Sequence, residues 1–83
     1  MPNMHMKRTL LEIVDNQIRD NNPPATRETF NRLINEGMPK ALAKERIAAV
    51  VSEEIYDVLK HHLPYNAERY SRKLLALQYK AKD

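Results

Sequence analysis

The placement of helix breakers constrains this 83-residue chain more than any other feature of its sequence. The strong breakers are five prolines and a single glycine, Gly37. Pro23 and Pro24 interrupt the chain together, while Pro39 and Pro64 enclose a long segment that contains neither residue type. Proline cannot continue a helix, and a β-sandwich needs the many tight turns that glycines supply. The pattern therefore predicts an all-α protein built from a few helices.

Apolar residues recur at helical spacing between these breakers. They predict a small four-helix domain with helices at about residues 7–19, 25–36, 39–62 and 67–79. The chain is then a single domain over residues 1–83, with a Pro-Pro linker at 20–24 and a helical core at 25–79. Its apolar content of 42% and charged content of 30% are those of an ordinary soluble globular domain.

The predicted helix boundaries have local signals of their own. Pro24 suits the first turn of the second helix, where its missing N–H costs no hydrogen bond. Gly37 suits the position just after that helix, where a left-handed backbone favours glycine. Asn66 is a good N-cap for the fourth helix, and Tyr65 before it can pack on Tyr70 as a hydrophobic staple.

The third helix is expected to be the long central one. At about 100° per residue, four apolar side chains and one histidine share an arc of roughly 80°. These residues are Ile47, Val51, Ile55, Val58 and His62. The opposite polar strip is narrow, so neighbouring helices are expected to cover the apolar flank along its whole length. The first helix, which lies beyond the linker, is expected to pack away from the other three.

The formal net charge of +3 comes entirely from residues 66–83. Three basic residues of the predicted fourth helix, Arg69, Arg72 and Lys73, are expected to face away from its apolar seam. They would contact phosphates if the chain bound nucleic acid, although dedicated binders carry denser basic stripes. Among the tyrosines, only Tyr79 is expected to be free to stack on a base. The simpler interpretation is a solvated helix face with a basic tail.

Composition excludes several chemistries. The absence of cysteine removes disulfides, thiolate zinc sites, iron–sulfur clusters and cysteine nucleophiles. A single glycine cannot build a phosphate-binding loop, so no cofactor is expected. No apolar run approaches the roughly 20 residues of a membrane span, and no membrane contact is expected.

Acidic residues and a histidine on the third helix are spaced like parts of a metal site. Glu54 or Glu53 combines with Asp57 and His61 at helical steps. Residues two turns apart lie about 10 Å apart along the axis, so one helix cannot bring both ends of either set to one ion. We expect no metal site and interpret Asp57 as a partner of Lys60 or His61.

Glu54 falls beside the apolar arc and not in the polar strip. An unpaired carboxylate there would be costly, so a tyrosine hydroxyl or a basic group of the fourth helix is expected to contact it. A catalytic role would need Glu54 to converge with His61 or His62 in a cleft. Nothing in the sequence supports that convergence, and we expect no catalytic residue and no enzymatic activity.

The segment from about residue 22 to residue 77 contains a recognisable set of short motifs. They are Asn22-Pro23-Pro24, Gly37, Glu53-Glu54-Ile55-Tyr56-Asp57-Val58-Leu59 and Tyr65-Asn66-Ala67-Glu68-Arg69-Tyr70. In these motifs the chain resembles a group of small uncharacterised bacterial proteins that are entirely helical. The resemblance implies a bacterial cytoplasmic protein and carries over no catalytic residue, ligand or partner.

These observations favour a non-enzymatic protein-interaction module. A domain this small buries only about 60–65% of its unfolded surface, which makes it marginal alone. A homodimer joined through the first and fourth helices is the form that we expect. The alternative is a nucleic-acid-binding accessory protein that uses the basic face of the last helix.

Overall fold

The computed structural model describes residues 4–77, and four α-helices account for most of them. They are α1 (Met4–Asp20), α2 (Pro24–Asn35), α3 (Lys40–His61) and α4 (Ala67–Leu75). The predicted all-α class is confirmed, and α3 is the longest helix as expected. The fourth helix ends at Leu75, before the predicted residue 79, and Tyr79 lies outside the described residues.

The junction between α2 and α3 is set by Gly37, whose φ of 102° confirms the predicted left-handed position. The Gly37 N–H donates to the Ile34 carbonyl at 2.9 Å, and the Met38 N–H donates to the Leu33 carbonyl at 3.0 Å. This pair of bonds is a Schellman motif, which satisfies the carbonyls that the helix end leaves free. Met38 and Leu33 are both buried, so the motif also anchors the turn in the core.

The start of α4 follows the predicted signals. The Asn66 side chain accepts a hydrogen bond from the Arg69 N–H at 2.9 Å, as an N-cap does. The Tyr65 and Tyr70 rings lie with their centroids 6.3 Å apart, which confirms the staple. The end of α3 differs from the prediction, because His62 leaves the helix with a left-handed φ of 56° and is exposed. It therefore does not lie in the apolar arc.

The core is one cluster at the centre of the four helices. Both α2 and α3 contact every other helix, so α3 shares its central position with α2. The buried apolar residues are Val14, Leu33, Met38, Ala43, Ile47, Ala48, Val50, Val51, Tyr70 and Leu74. Val14 is completely buried, so α1 does not pack away from the other helices as predicted.

Polar contacts explain why α1 folds back across the proline linker. The Arg27 guanidinium donates to the carbonyl oxygens of Ile18 and Arg19, at 2.7 and 3.1 Å, and so satisfies the end of α1. The Gln17 side-chain oxygen accepts from the hydroxyls of Thr26 and Tyr70, both at 2.8 Å. These bonds join α1, α2 and α4 at one point, which the sequence pattern did not reveal.

Candidate functional site

The largest departure from the predicted fold is an uncovered surface at the carboxyl-terminal half of α3 and the short segment after it. Five large apolar side chains there are between 41% and 72% exposed. We call them the α3 apolar face, and they are Ile55, Tyr56, Leu59, Leu63 and Tyr65. The expectation that neighbouring helices cover the apolar flank along its whole length is therefore wrong for this half of the helix.

The path of α1 explains why this half is uncovered. Asp15 of α1 pairs with Lys44 at 2.8 Å, near the start of α3. Met6, near the other end of α1, lines a groove with Ser52 in the middle of α3. The described part of α1 thus runs antiparallel along the first half of α3 and begins level with Ser52. Among residues 4–77, α1 does not extend over the next two turns of α3.

A shallow groove of about 230 Å³ indents the α3 apolar face. It is lined by Ile55, Val58, Leu59 and Tyr65, with Glu54 beside them. Partial burial and the nearby Glu54 charge raise the pKa of the Tyr65 hydroxyl above its usual value. The groove therefore offers an apolar floor with a neutral hydroxyl at its edge.

The Glu54 carboxylate is buried beside this groove and is held by α4. Arg69 reaches both of its oxygens, with Nε donating to Oε1 at 3.2 Å and Nη2 donating to Oε2. The same guanidinium also donates to the Pro64 carbonyl at 3.3 Å. The prediction that a basic group of the fourth helix contacts Glu54 is confirmed, and hydrogen bonding to Glu54 raises the pKa of Arg69.

Lys73 completes this cluster of charges between α3 and α4. Its ammonium donates to Asp57 at 3.0 Å and lies 3.7 Å from Glu53 and 3.8 Å from Glu54. The hydrogen bond from Lys73 lowers the pKa of Asp57, and the same bond raises the pKa of Lys73. Asp57 was predicted to pair with Lys60 or His61 on its own helix, but its hydrogen-bond partner is on α4.

The three basic residues proposed as phosphate contacts do not form one outward face. Arg69 and Lys73 point towards α3 and hold carboxylates there, so the prediction that they face away from the seam is wrong. Arg72 is exposed. Tyr56 and Tyr65 are more than half exposed, although Tyr56 packs against His61 and Tyr65 against Tyr70.

The side chains weighed for catalysis are kept apart. Glu54 is enclosed with Arg69, whereas the His61 ring packs edge-on against Tyr56 with the centroids 6.2 Å apart. His62 is exposed at the end of the helix. Between residues 4 and 77 no group of three or more histidine, aspartate or glutamate side chains is placed to hold a metal ion.

Sequence reasoning identified the side chains of this region but missed its exposure. Tyr56 and Leu59 project outside the predicted 80° apolar arc. Their position is the feature of the sequence that could have indicated an exposed apolar face. Two large apolar residues beyond the core arc of a helix indicate either a second neighbour or an uncovered face. The choice between these two depends on where α1 begins relative to α3.

Comparison with protein-family models, curated proteins and solved structures returned no significant match. The resemblance to small bacterial helical proteins stays a prediction. Within the described residues, no helix has the length and apolar character that crossing a membrane requires.

Proposed function

We propose that this chain is a non-enzymatic protein-interaction module that docks a protein partner on the α3 apolar face. The supporting observation is that five exposed apolar side chains, two of them tyrosines, lie at the end of the longest helix and in the short segment that follows it. Single exposed apolar residues are ordinary, but contiguous patches of several hundred Å² on a monomer mark interaction sites.

The composition of the face fits a protein interface. Aromatic residues are enriched at interface centres, where they supply a large contact area at a low cost in side-chain entropy. Exposed polar residues lie beside this centre, among them Glu53, Lys60 and His61. Polar rims with apolar centres are the common arrangement in specific protein complexes.

The helical part of the face is anchored to the rest of the domain without any partner. Ile47 and Val51 of the same helix are buried in the core, and the Glu54–Arg69 ion pair ties this part of α3 to α4. A preorganised surface loses little conformational freedom on binding, which favours affinity. The structure therefore supports docking on a preformed helix more than folding on binding.

Photocrosslinking in the source cells tests this proposal. A photoreactive benzoylphenylalanine replaces Leu59, which is 72% exposed on the face, or Leu75, which is 61% exposed on α4. We expect a discrete protein adduct from position 59 and none from position 75. The absence of an adduct at position 59, or equal labelling at both positions, would contradict a docking role for this face.

The second candidate is the nucleic-acid-binding accessory protein. The positive charge of residues 66–83 and the exposed Arg72 favour it, but Arg69 and Lys73 already hold carboxylates of α3. Titration of labelled single- and double-stranded DNA and RNA at two salt concentrations tests it. Binding that weakens steeply with salt and is reduced by Arg72→Gln would support it, and no binding at low salt would overturn it.

A further inference from the structure

The exposed side chains of α3 form a stripe with a regular register. Tyr56 and Leu59 are three residues apart, and Leu63 follows four residues later, just beyond the helix. Ala49 and Ser52 extend the same spacing backwards and line the groove beside α1. Alternation of this kind is the seam by which two helices pack side by side. Tyr56 is 57% exposed and Leu59 is 72% exposed, against 41% for Leu63.

The charges beside this stripe have opposite signs at its two ends. Glu53 and Lys60 lie two helical turns apart on the same flank of the stripe. The Glu53 side chain is 67% exposed, and Lys60 forms no ion pair among residues 4–77. Lys73 comes within 3.7 Å of Glu53, but it donates its hydrogen bond to Asp57.

This arrangement is complementary to itself when a second copy lies antiparallel. A two-fold axis between Tyr56 and Leu59 brings Glu53 of each copy beside Lys60 of the other, so the charge pair forms twice. It also sets Tyr56 of each copy against Leu59 of the other. A parallel pair would instead place Glu53 level with Glu53 and Lys60 level with Lys60, which loses both charge pairs.

The exposed area matches what such a pair needs. A tyrosine buries 150–250 Å² when covered, so Tyr56 and Tyr65 at more than half exposure offer about 100 Å² each. With Ile55, Leu59 and Leu63 the face offers on the order of 400 Å² of apolar surface. A standard interface buries about 800 Å² on each partner, a little over half of it apolar. The face thus supplies the apolar part of one side.

We propose that the occupant of the α3 apolar face is a second copy of this chain, packed as an antiparallel pair of α3 helices. This inference rests on the proposed function and names its partner. It names a different interface from the predicted dimer through the first and fourth helices, and that interface stays a prediction.

Sedimentation equilibrium of the full chain tests whether a second copy binds to form a dimer. We expect a dimer at tens to hundreds of micromolar, and Leu59→Asp should raise its dissociation constant at least about tenfold. Leu75→Asp places the same charge on an exposed leucine of α4 and should leave the dissociation constant unchanged. Far-ultraviolet circular dichroism checks that each variant keeps its helical content.

Charge reversal tests the antiparallel register. Glu53→Lys and Lys60→Glu should each weaken the dimer, and the double variant should restore it, because the restored pairs lie between copies. Two turns on one helix are too far apart for the same rescue within a copy. If each single variant weakens the dimer and the double variant does not restore it, the antiparallel register is wrong.

The outcomes separate this inference from the proposed function. A monomer at hundreds of micromolar, or a dimer that Leu59→Asp leaves intact, overturns the second copy as occupant. If position 59 then still crosslinks to a different protein, the face remains a docking surface with another partner. If it crosslinks to nothing, the proposed function fails as well.

Discussion

The Glu54 carboxylate lies inside the domain because α4 supplies cations to it. Arg69 makes two hydrogen bonds to it, and Lys73 lies 3.8 Å away. A buried carboxylate without such partners would be strongly unfavourable. The pair is therefore a docking contact between α3 and α4, and it sits directly under the α3 apolar face.

Removing the positive charge of Arg69 should show how far the stability of the domain depends on this contact. Arg69→Gln leaves Glu54 with only the more distant Lys73, so we expect a clearly lower urea midpoint of unfolding at pH 7. Arg72→Gln removes an exposed cation from the same helix and should change the free energy of unfolding by no more than about 0.5 kcal/mol. Equal losses from both variants would mean that the Glu54 contact contributes nothing specific.

At the scale of the elements, the turn between α2 and α3 determines how the two central helices meet. Gly37 holds a φ of 102°, and its neighbours Leu33 and Met38 are both buried. The left-handed turn at Gly37 and the burial of Leu33 and Met38 therefore favour the same path of the chain from α2 into α3. This agreement explains why a single glycine was enough to predict the junction.

Substitution of that glycine tests the junction. Gly37→Ala places a Cβ at a left-handed backbone, and we expect it to lower the free energy of unfolding by about 1–2 kcal/mol. Asn35→Ala changes an exposed residue of the last turn of α2 and should cost no more than about 0.5 kcal/mol. Chemical denaturation of both variants measures the difference, and a stability of Gly37→Ala equal to that of Asn35→Ala would contradict the strain argument.

Across the whole molecule, side chains join helices whose backbones do not meet. No backbone contact between α1 and α4 is found in the described residues, yet Tyr70 of α4 donates to Gln17 of α1. Thr26 of α2 donates to the same oxygen. Three helices thus meet at one amide, and burial raises the pKa of the Tyr70 hydroxyl.

The Tyr70 hydroxyl should therefore contribute to stability in a pH-dependent way. Its pKa is higher in the folded than in the unfolded chain, so its contribution is complete below about pH 10 and is lost as the pH rises through the folded value. Tyr70→Phe should cost about 1 kcal/mol at pH 7 and reduce the alkaline loss. Urea unfolding at neutral and alkaline pH measures both effects. Tyr56→Phe, which removes an exposed hydroxyl, should show neither effect.

The fold was predictable from the sequence to the extent that local signals fix helix ends. Pro24, Gly37 and Asn66 lie at or next to helix ends, and each acts through hydrogen bonds or backbone angles within a few residues. The packing of α1 was not predictable, because the Arg27 bonds to the end of α1 form only after the linker has turned. The sequence predicted the kind of residue that contacts Glu54 but not which one. Burying an unpaired carboxylate is costly, so a cation or a hydroxyl was required beside it.

The sequence by itself determined that this protein is four helices with a long third one, because helix periodicity and helix breakers act over a few residues. Only the tertiary structure decided which flank of that helix is covered. Coverage depends on where α1 begins against Ser52 and on which cations α4 directs towards Glu54. Both are contacts between distant parts of the chain, and for that reason the exposed Tyr56 and Leu59 emerged from the fold and not from the pattern.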